Sequence, residues 1–198
     1  MLILTDRFEQ ALILANQLHA NQVRKGVGTP YISHLLAVSS LVLENGGSEN
    51  EVIAALLHDA VEDQGGKSTL ELIRSEFGNE VAAIVSGCSD ADTIPKPPWR
   101  ERKEAYLKHL ANASPSVRLV SVADKLHNAR ATLRDYQVLG EELWGRFTGG
   151  KDGTLWYFRS LVVVFSSFGF SPLLNEFIRV VAEIECIAGS GCPPVTCE

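Results

Sequence analysis

The chain has 198 residues, a mass of 21.6 kDa and a formal net charge of -6. This length is sufficient for one well-buried domain, and the acidic balance argues against binding nucleic acid through a general field of Lys and Arg. The apolar start at residues 2–4 is too short for a signal peptide, and the longest aliphatic run, 161–165, falls far short of the roughly 20 residues that span a bilayer. We therefore predict a soluble, cytoplasmic protein that binds neither nucleic acid nor a membrane.

Apolar residues recur at spacings of three and four along the chain, as in Phe8, Leu12, Ala15 and Leu18. This periodicity predicts an all-α fold, a helical bundle of roughly eight to ten helices. In chain order, the predicted helices cover residues 5–23, 31–45, 49–62, 69–76, 79–89, 98–111, 116–134, 153–168 and 172–187.

Four serines mark predicted helix starts. Ser48 and Ser68 are each followed by Glu three residues later, the pattern of a capping box. Ser114 and Ser171 each precede a proline, which is favoured in the first helical turn. We expect all four to cap helices.

The helix predicted over 49–62 ends in a group of titratable side chains. An apolar stretch is followed by His58, Asp59, Glu62 and Asp63. At about 100° per residue, these four fall within a sector of roughly 140° on one helix. Glu62 and Asp63 could end the helix in solvent, and a lone His58 could be a hydrogen-bonded core histidine. The cluster as a whole favours a functional site.

Asp124 follows an apolar run within the helix predicted over 116–134. A buried carboxylate is costly unless it is paired or bound to a metal. An ion pair with Lys125 or Arg130 is the alternative, although adjacent residues on a helix do not face each other well. Asn128, four residues further on, shares a face with Asp124 and could hydrogen-bond a ligand.

His34, His58, Asp59 and Asp124 are therefore the candidate ligands of a divalent metal ion. Two imidazoles and two carboxylates suit manganese, iron or cobalt better than a thiolate site would. His127 is interpreted as a packing or supporting residue. The quartet suggests a metal-assisted phosphohydrolase.

An anionic substrate would need local cations in this acidic chain. Lys96 and Lys151 lie in Pro- or Gly-flanked segments, and such loops can close over phosphate. Arg100, Arg102 and Lys103 are equally consistent with a substrate site and with a solvated helix face. We predict Lys96 and Lys151 as substrate-binding residues.

Three stretches together resemble one family. Residues 24–34, 55–63 and 123–128 match, in order and spacing, the HD-domain hydrolases of the Rel/SpoT type. The match covers about residues 5–135 and contains no added synthetase or regulatory domain. The chain thus resembles the stand-alone small alarmone hydrolases, such as the metazoan SpoT homologues.

The resemblance implies a single HD-type phosphohydrolase domain over residues 1–188, with the motif core at 5–135 and C-terminal helices at 136–188. Residues 189–198 are predicted to be a flexible tail. Those C-terminal helices could supply a lid or a dimer surface, so a homo-oligomer is left open.

The resemblance also implies the roles of individual residues. One manganese ion would be held by His34, His58, Asp59 and Asp124. The roles implied for the other residues are catalysis by Glu62 and Asp63, base binding by Arg24 and Lys25, and a nucleoside contact by Asn128.

The implied reaction is removal of the 3′-pyrophosphate from guanosine 3′,5′-bis(diphosphate), ppGpp, or its pentaphosphate relative, giving GDP or GTP and pyrophosphate. Residues 86–90 depart from the Val/Thr-rich pattern of guanosine-specific members. Adenosine 3′-pyrophosphates and the 2′-phosphate of NADPH are therefore alternative substrates. An alarmone sensor without catalysis and an unrelated helical scaffold are the alternatives from other classes.

Overall fold

The computed structural model describes residues 3–25, 28–90 and 97–189. Within these ranges the chain forms ten α-helices and one 3-10 helix, and its only β-type pairing is an isolated bridge between Val23 and Pro30. The prediction of an all-α fold is confirmed. The α-helices are α1 Asp6–Leu18, α2 Ile32–Glu44, α3 Glu49–Leu57, α4 Ala60–Asp63, α5 Lys67–Phe77, α6 Asn79–Cys88, α7 Trp99–Leu110, α8 Pro115–Leu139, α9 Gly150–Ser166 and α10 Pro172–Ala188, with the 3-10 helix at Gly140–Arg146.

The 25-residue helix α8 is the centre of the bundle. It packs against α2, α3, α6, α9 and α10, and its buried residues include Val120, Ala123, Leu126 and Ala129. Neighbours on several sides explain why apolar residues occur around much of this helix rather than on one stripe. No helix among the described residues is long and apolar enough to cross a membrane.

Three of the four predicted serine caps are confirmed. Ser48 forms the complete capping box, and the Ser114 and Ser171 hydroxyls accept from backbone amides three residues on. The cap predicted at Ser68 is wrong. Helix α5 begins earlier, after Gly66 at φ +60°, so the Ser68 hydroxyl lies inside the first turn and donates to the Gly65 carbonyl at 2.8 Å.

The helix predicted over 49–62 is interrupted, which corrects the sequence interpretation. Helix α3 ends at Leu57 and α4 begins at Ala60, so His58 and Asp59 form the turn between them. Further along, α8 extends five residues beyond its predicted end at residue 134 and runs into a 3-10 helix that was not predicted. The domain bounds of 1–188 stay a prediction, and residues 190–198 of the predicted tail lie outside the described part of the chain.

Candidate active site and metal centre

The four predicted metal ligands come together from three parts of the fold. His34 lies in the first turn of α2, His58 and Asp59 form the α3–α4 turn, and Asp124 lies in the middle of α8. The Nε2 atom of His34 is 3.2 Å from Asp124 Oδ1 and 3.4 Å from Asp59 Oδ2. The Nε2 atom of His58 is 3.1 Å from Asp59 Oδ2 and 3.6 Å from Asp124 Oδ1. Two nitrogens and two oxygens therefore face one point.

These spacings fit a divalent metal ion. Neighbouring ligand atoms lie about 3 Å apart when each is bound at about 2.0–2.2 Å. His34, His58 and Asp59 form a candidate metal site, and Asp124 Oδ1 faces the same two nitrogens. The Nε2 atom of His58 is buried and has no regular hydrogen-bond partner among the described residues. This is expected of a nitrogen whose function is to bind a metal ion.

Both histidines are oriented through their other ring nitrogen. His58 Nδ1 lies 2.8 Å from the Ala55 carbonyl oxygen and donates to it, which leaves Nε2 as a lone-pair donor. His34 Nδ1 lies 2.7 Å from Nδ1 of His127. Burial, His34 and Arg24 lower the pKa of His127 to about 3, so its neutral ring can accept this hydrogen bond. His127 thus contacts one of the predicted metal ligands, and its supporting role stays a prediction.

The two carboxylates make the centre attractive to a cation. Burial alone would lower the pKa of His58, but Asp59 and Asp124 outweigh burial and raise it to about 10. Burial opposes ionisation of Asp59 as well, yet His58 and His34 hold its pKa well below the usual range. A divalent cation would provide the positive charge that a proton on His58 otherwise supplies.

Asp124 is held by its neighbours on α8. Lys125 Nζ contacts Oδ2, and Asn128 Nδ2 donates to Oδ1 at 2.5 Å. The ion pair with Lys125, which the sequence analysis gave as the alternative for Asp124, is therefore present although the two residues are adjacent on the helix. Lys125 Nζ also lies over the ring of Tyr106, 5.3 Å from its centroid.

A cavity of about 650 Å³ opens beside the metal centre. Among the described residues, its lining contains six Lys or Arg side chains and five Asp or Glu side chains. The predicted site residues in the lining are Arg24, Lys25, Asp59, Glu62, Asp63, Asp124 and Asn128. The cavity thus contains both predicted catalytic acids, two metal-facing carboxylates and the predicted nucleoside contacts.

A family model for the HD domain matches residues 11–152. This range includes all four predicted metal ligands. The chain belongs to the HD-domain family.

Two curated relatives give a finer comparison. The chain is 38% identical over 138 residues to guanosine-3′,5′-bis(diphosphate) 3′-pyrophosphohydrolase MESH1 of Xenopus tropicalis, which covers 68% of the chain and 72% of the frog protein. It is 41% identical over 123 residues to a probable GTP pyrophosphokinase of Mycobacterium leprae. That match covers 62% of the chain but only 15% of the mycobacterial protein.

The HD-domain fold is also similar to a solved structure. A metazoan ortholog of SpoT that hydrolyses ppGpp superposes with a TM-score of 0.77 at 27% sequence identity. The superposition covers 92% of this chain and 98% of the ortholog. The helices beyond the matched HD segment therefore have counterparts in that structure as well.

The two predicted catalytic acids, Glu62 and Asp63, each have a neighbouring group that positions the carboxylate. Arg102 Nη1 lies 3.6 Å from Glu62 Oε1. The Gln22 amide donates to Asp63 Oδ2 at 2.8 Å. Both acids line the cavity, so they flank the space where a substrate of the HD site would react.

Arg102 and Lys103 form a cationic wall of the cavity. The sequence left them undecided between a substrate site and a solvated face, but their side chains are mostly buried and both line the cavity. Asp90 holds each cation at 2.5 Å through a different carboxylate oxygen, and its own side chain is only 4% exposed. The only sequence signal for this wall was weak, two adjacent cations that follow a Pro-rich break. Nothing near them in the sequence indicated that Asp90 is their partner.

The two predicted loop lysines have different outcomes. Lys96 lies outside the described residues. Lys151 is not among the lining residues, and its Nζ contacts Glu141 Oε1 at 2.8 Å. The neighbouring backbone does reach the cavity, because Thr148 and Gly149 line it. Lys151 itself lies in the first turn of α9, and the structure does not bring its side chain into the cavity.

Trp99 fixes this loop against α7. A Cβ atom on Gly149 would lie 2.7 Å from the indole, and one on Gly153 would lie 3.2 Å from it. Only a residue without a side chain allows so close an approach at position 149. The indole therefore joins the start of α7, which carries the cationic wall, to the start of α9.

Proposed function

We propose that the protein is a metal-dependent pyrophosphohydrolase that removes the 3′-pyrophosphate from ppGpp or its pentaphosphate relative, giving GDP or GTP and pyrophosphate. The observation that carries this proposal is the set of buried His34, His58 and Asp124 with partly buried Asp59, beside a cavity that also contains two further acids and several cations. Two of the similar proteins support it, the frog 3′-pyrophosphohydrolase MESH1 and the metazoan ortholog of SpoT that hydrolyses ppGpp.

The metal of this proposal is one manganese ion held by His34, His58, Asp59 and Asp124. A mixed nitrogen and oxygen set suits manganese, and the absence of thiolates from the set disfavours a structural zinc site. When bound, the ion supplies a Lewis acid that polarises a phosphoryl oxygen and acidifies a coordinated water.

Glu62 and Asp63 would move the protons. Arg102 Nη1 lies 3.6 Å from Glu62 Oε1 and both residues line the cavity, so the guanidinium holds that carboxylate where it could accept a proton from an attacking water. Gln22 fixes the direction of Asp63 through the amide hydrogen bond. Proton transfer by a positioned carboxylate is worth about a hundredfold or more in rate.

The cations of the cavity would bind the substrate. Arg24 and Lys25 lie in the lining together with Asn128, where a nucleoside can be held. Arg102 and Lys103 lie beside Glu62, where the charge of the pyrophosphate has to be compensated. The substrate would then extend from the nucleoside end, past the metal centre, to the cationic wall.

The test is product analysis with three substrates. Manganese-loaded protein is incubated separately with ppGpp, with adenosine 3′,5′-bis(diphosphate) and with NADPH, and the products are resolved by anion-exchange chromatography. We expect GDP and pyrophosphate from ppGpp, and no product in a parallel preparation of Asp59→Ala. Turnover of another substrate alone would reassign the nucleotide, and no turnover of any substrate would contradict the proposal.

A further inference from the structure

Arg24, at the proposed nucleoside end, is connected to a carboxylate of the metal centre through one amide. Its Nη2 donates to Asn128 Oδ1 at 2.8 Å, and Asn128 Nδ2 donates to Asp124 Oδ1 at 2.5 Å. This oxygen is the one that faces the Nε2 atoms of His34 and His58. Asn128 therefore spans from the guanidinium to a metal-facing atom with both of its polar groups used.

A second connection runs through Tyr31. The guanidinium carbon of Arg24 lies 5.7 Å from the centroid of the Tyr31 ring, within the range of a cation–π contact. The Tyr31 hydroxyl donates to Asp59 Oδ2 at 2.6 Å, and this oxygen also faces both metal-site histidines. The ring of His19 stacks on Tyr31 at 5.1 Å and 12°, which holds the tyrosine in place.

We propose that the nucleoside end of the cavity and the metal centre are thermodynamically coupled, with Asn128 and Tyr31 as the positioning residues. A nucleoside bound at Arg24 raises the affinity for the divalent ion, and the ion raises the affinity for the nucleoside by the same factor. This inference rests on the proposed function for the assignment of Arg24 to the nucleoside.

The physical reason is shared ordering of one set of side chains. A nucleoside that fixes Arg24 also fixes Asn128 and Tyr31, and through them the two carboxylate oxygens that face the histidines. An ion that fixes Asp59 and Asp124 orders the same set of side chains, starting from the metal centre. The second ligand then meets groups that the first has already immobilised, which gives positive cooperativity. Couplings of this kind are commonly of order tenfold in affinity.

The experiment measures manganese binding to metal-free protein by isothermal titration calorimetry, with and without guanosine. Guanosine carries no phosphate, so direct coordination of the ion by a phosphate cannot produce the coupling. For the wild-type protein we expect guanosine to lower the Kd for manganese about tenfold, with an equal effect of manganese on guanosine. The reciprocal titration checks that both factors agree.

Two variants test the route. Tyr31→Phe keeps the stacked ring and removes only the hydroxyl that donates to Asp59, whereas Asn128→Ser shortens the side chain so that it no longer spans from Arg24 to Asp124. Each should reduce the coupling factor to about threefold or less. Tyr31→Phe remains informative if Asn128→Ser does not fold.

Lys25→Ala is the matched control. Lys25 lines the same cavity, but it is not part of either connection from Arg24 to the metal centre. It should weaken guanosine binding and leave the coupling factor unchanged.

Three results would overturn the inference. They are equal manganese affinity with and without guanosine, full coupling in both variants, and no binding of guanosine in either state. None of these measurements requires turnover. If ppGpp is cleaved but guanosine and manganese binding are not coupled, only this inference is contradicted. If binding is coupled but none of the three substrates is cleaved, only the proposed function is contradicted.

Discussion

The candidate metal centre and the cationic wall are two parts of one cavity, and they are built in opposite ways. The metal centre takes His34 from α2, the His58–Asp59 turn after α3 and Asp124 from α8, all elements of the buried core. The cationic wall, Arg102 and Lys103, lies at the start of α7 and depends on one buried acid, Asp90. The candidate metal centre is thus built into the packed core, whereas the cationic wall depends on a few ion pairs.

The largest effect is expected from a change at the metal centre. Asp59→Ala removes an oxygen that faces both histidines and also the partner of Tyr31. We expect loss of bound manganese and a fall in kcat/KM of roughly a thousandfold or more, since several kcal/mol of charge stabilisation go with the ion. Metal analysis after gel filtration, together with the ppGpp assay, checks this. Wild-type metal content in the variant would contradict the ligand assignment.

A substitution between the metal centre and the cationic wall separates metal binding from proton transfer. Glu62→Gln keeps the shape of the side chain and removes its charge, while the four metal-facing atoms are untouched. We expect wild-type metal content with kcat reduced about a hundredfold. The same metal analysis and assay apply, and loss of the metal would show that Glu62 belongs to the metal centre.

At the cationic wall, the expected effect is mainly on stability. Asp90→Asn leaves Arg102 and Lys103 without their buried partner, so the free energy of unfolding should fall by about 3 kcal/mol. Burial would raise the pKa of Asp90, but Lys103 and Arg102 lower it below its ordinary value. The stabilisation is therefore fully present above the unfolded pKa of about 3.9 and is lost as the pH falls through the folded pKa.

Urea unfolding curves of the wild-type protein and Asp90→Asn, measured at pH 7 and then at successively lower pH, test this. The difference between the two proteins should be greatest at pH 7 and should narrow in acid. A difference that stays constant with pH would mean that the Asp90 charge is not the cause.

The smallest effect is expected from a lysine near the cavity that does not line it. Lys151→Ala breaks a partly exposed pair with Glu141, and such pairs contribute about 0–1 kcal/mol. We expect the KM for ppGpp to change less than about twofold, whereas the matched Lys103→Ala should raise it about tenfold, the cost of about 1.4 kcal/mol in binding. Steady-state kinetics of Lys151→Ala and Lys103→Ala measure both changes in KM. An equal rise in KM in the two variants would mean that Lys151 does bind the substrate.

The same contrast explains what the sequence could predict. Helical periodicity gave the fold class, and short motifs located His34, His58, Asp59 and Asp124, because each motif is a few residues long and its signal is local. The break at His58 and Asp59 was missed because the apolar pattern of 49–57 continues through Ala60 and Val61, so the period alone indicates one helix.

The cationic wall could not be predicted in this way. Asp90 lies 12 and 13 residues from its two partners, and the pairing depends on where the chain that follows α6 lies relative to α7 in three dimensions. The contact between Lys125 and Asp124 was disfavoured for a related reason, since the average geometry of adjacent helical residues does not account for the reach of a long side chain. Local sequence patterns do not determine the contacts of long side chains or the pairing of residues that are distant in the sequence.

The charge of the cavity lining has a consequence for the speed of capture. The lining carries one more cation than anions among its described residues, while the whole chain has a net charge of -6. At 0.01 M salt the Debye length is about 30 Å, so the net charge of the whole chain would repel an approaching polyphosphate. At 0.15 M salt the Debye length is about 8 Å, so the charges of the lining would act on the polyphosphate with less interference from the rest of the chain. Added salt should therefore weaken the long-range repulsion more than the attraction at the opening.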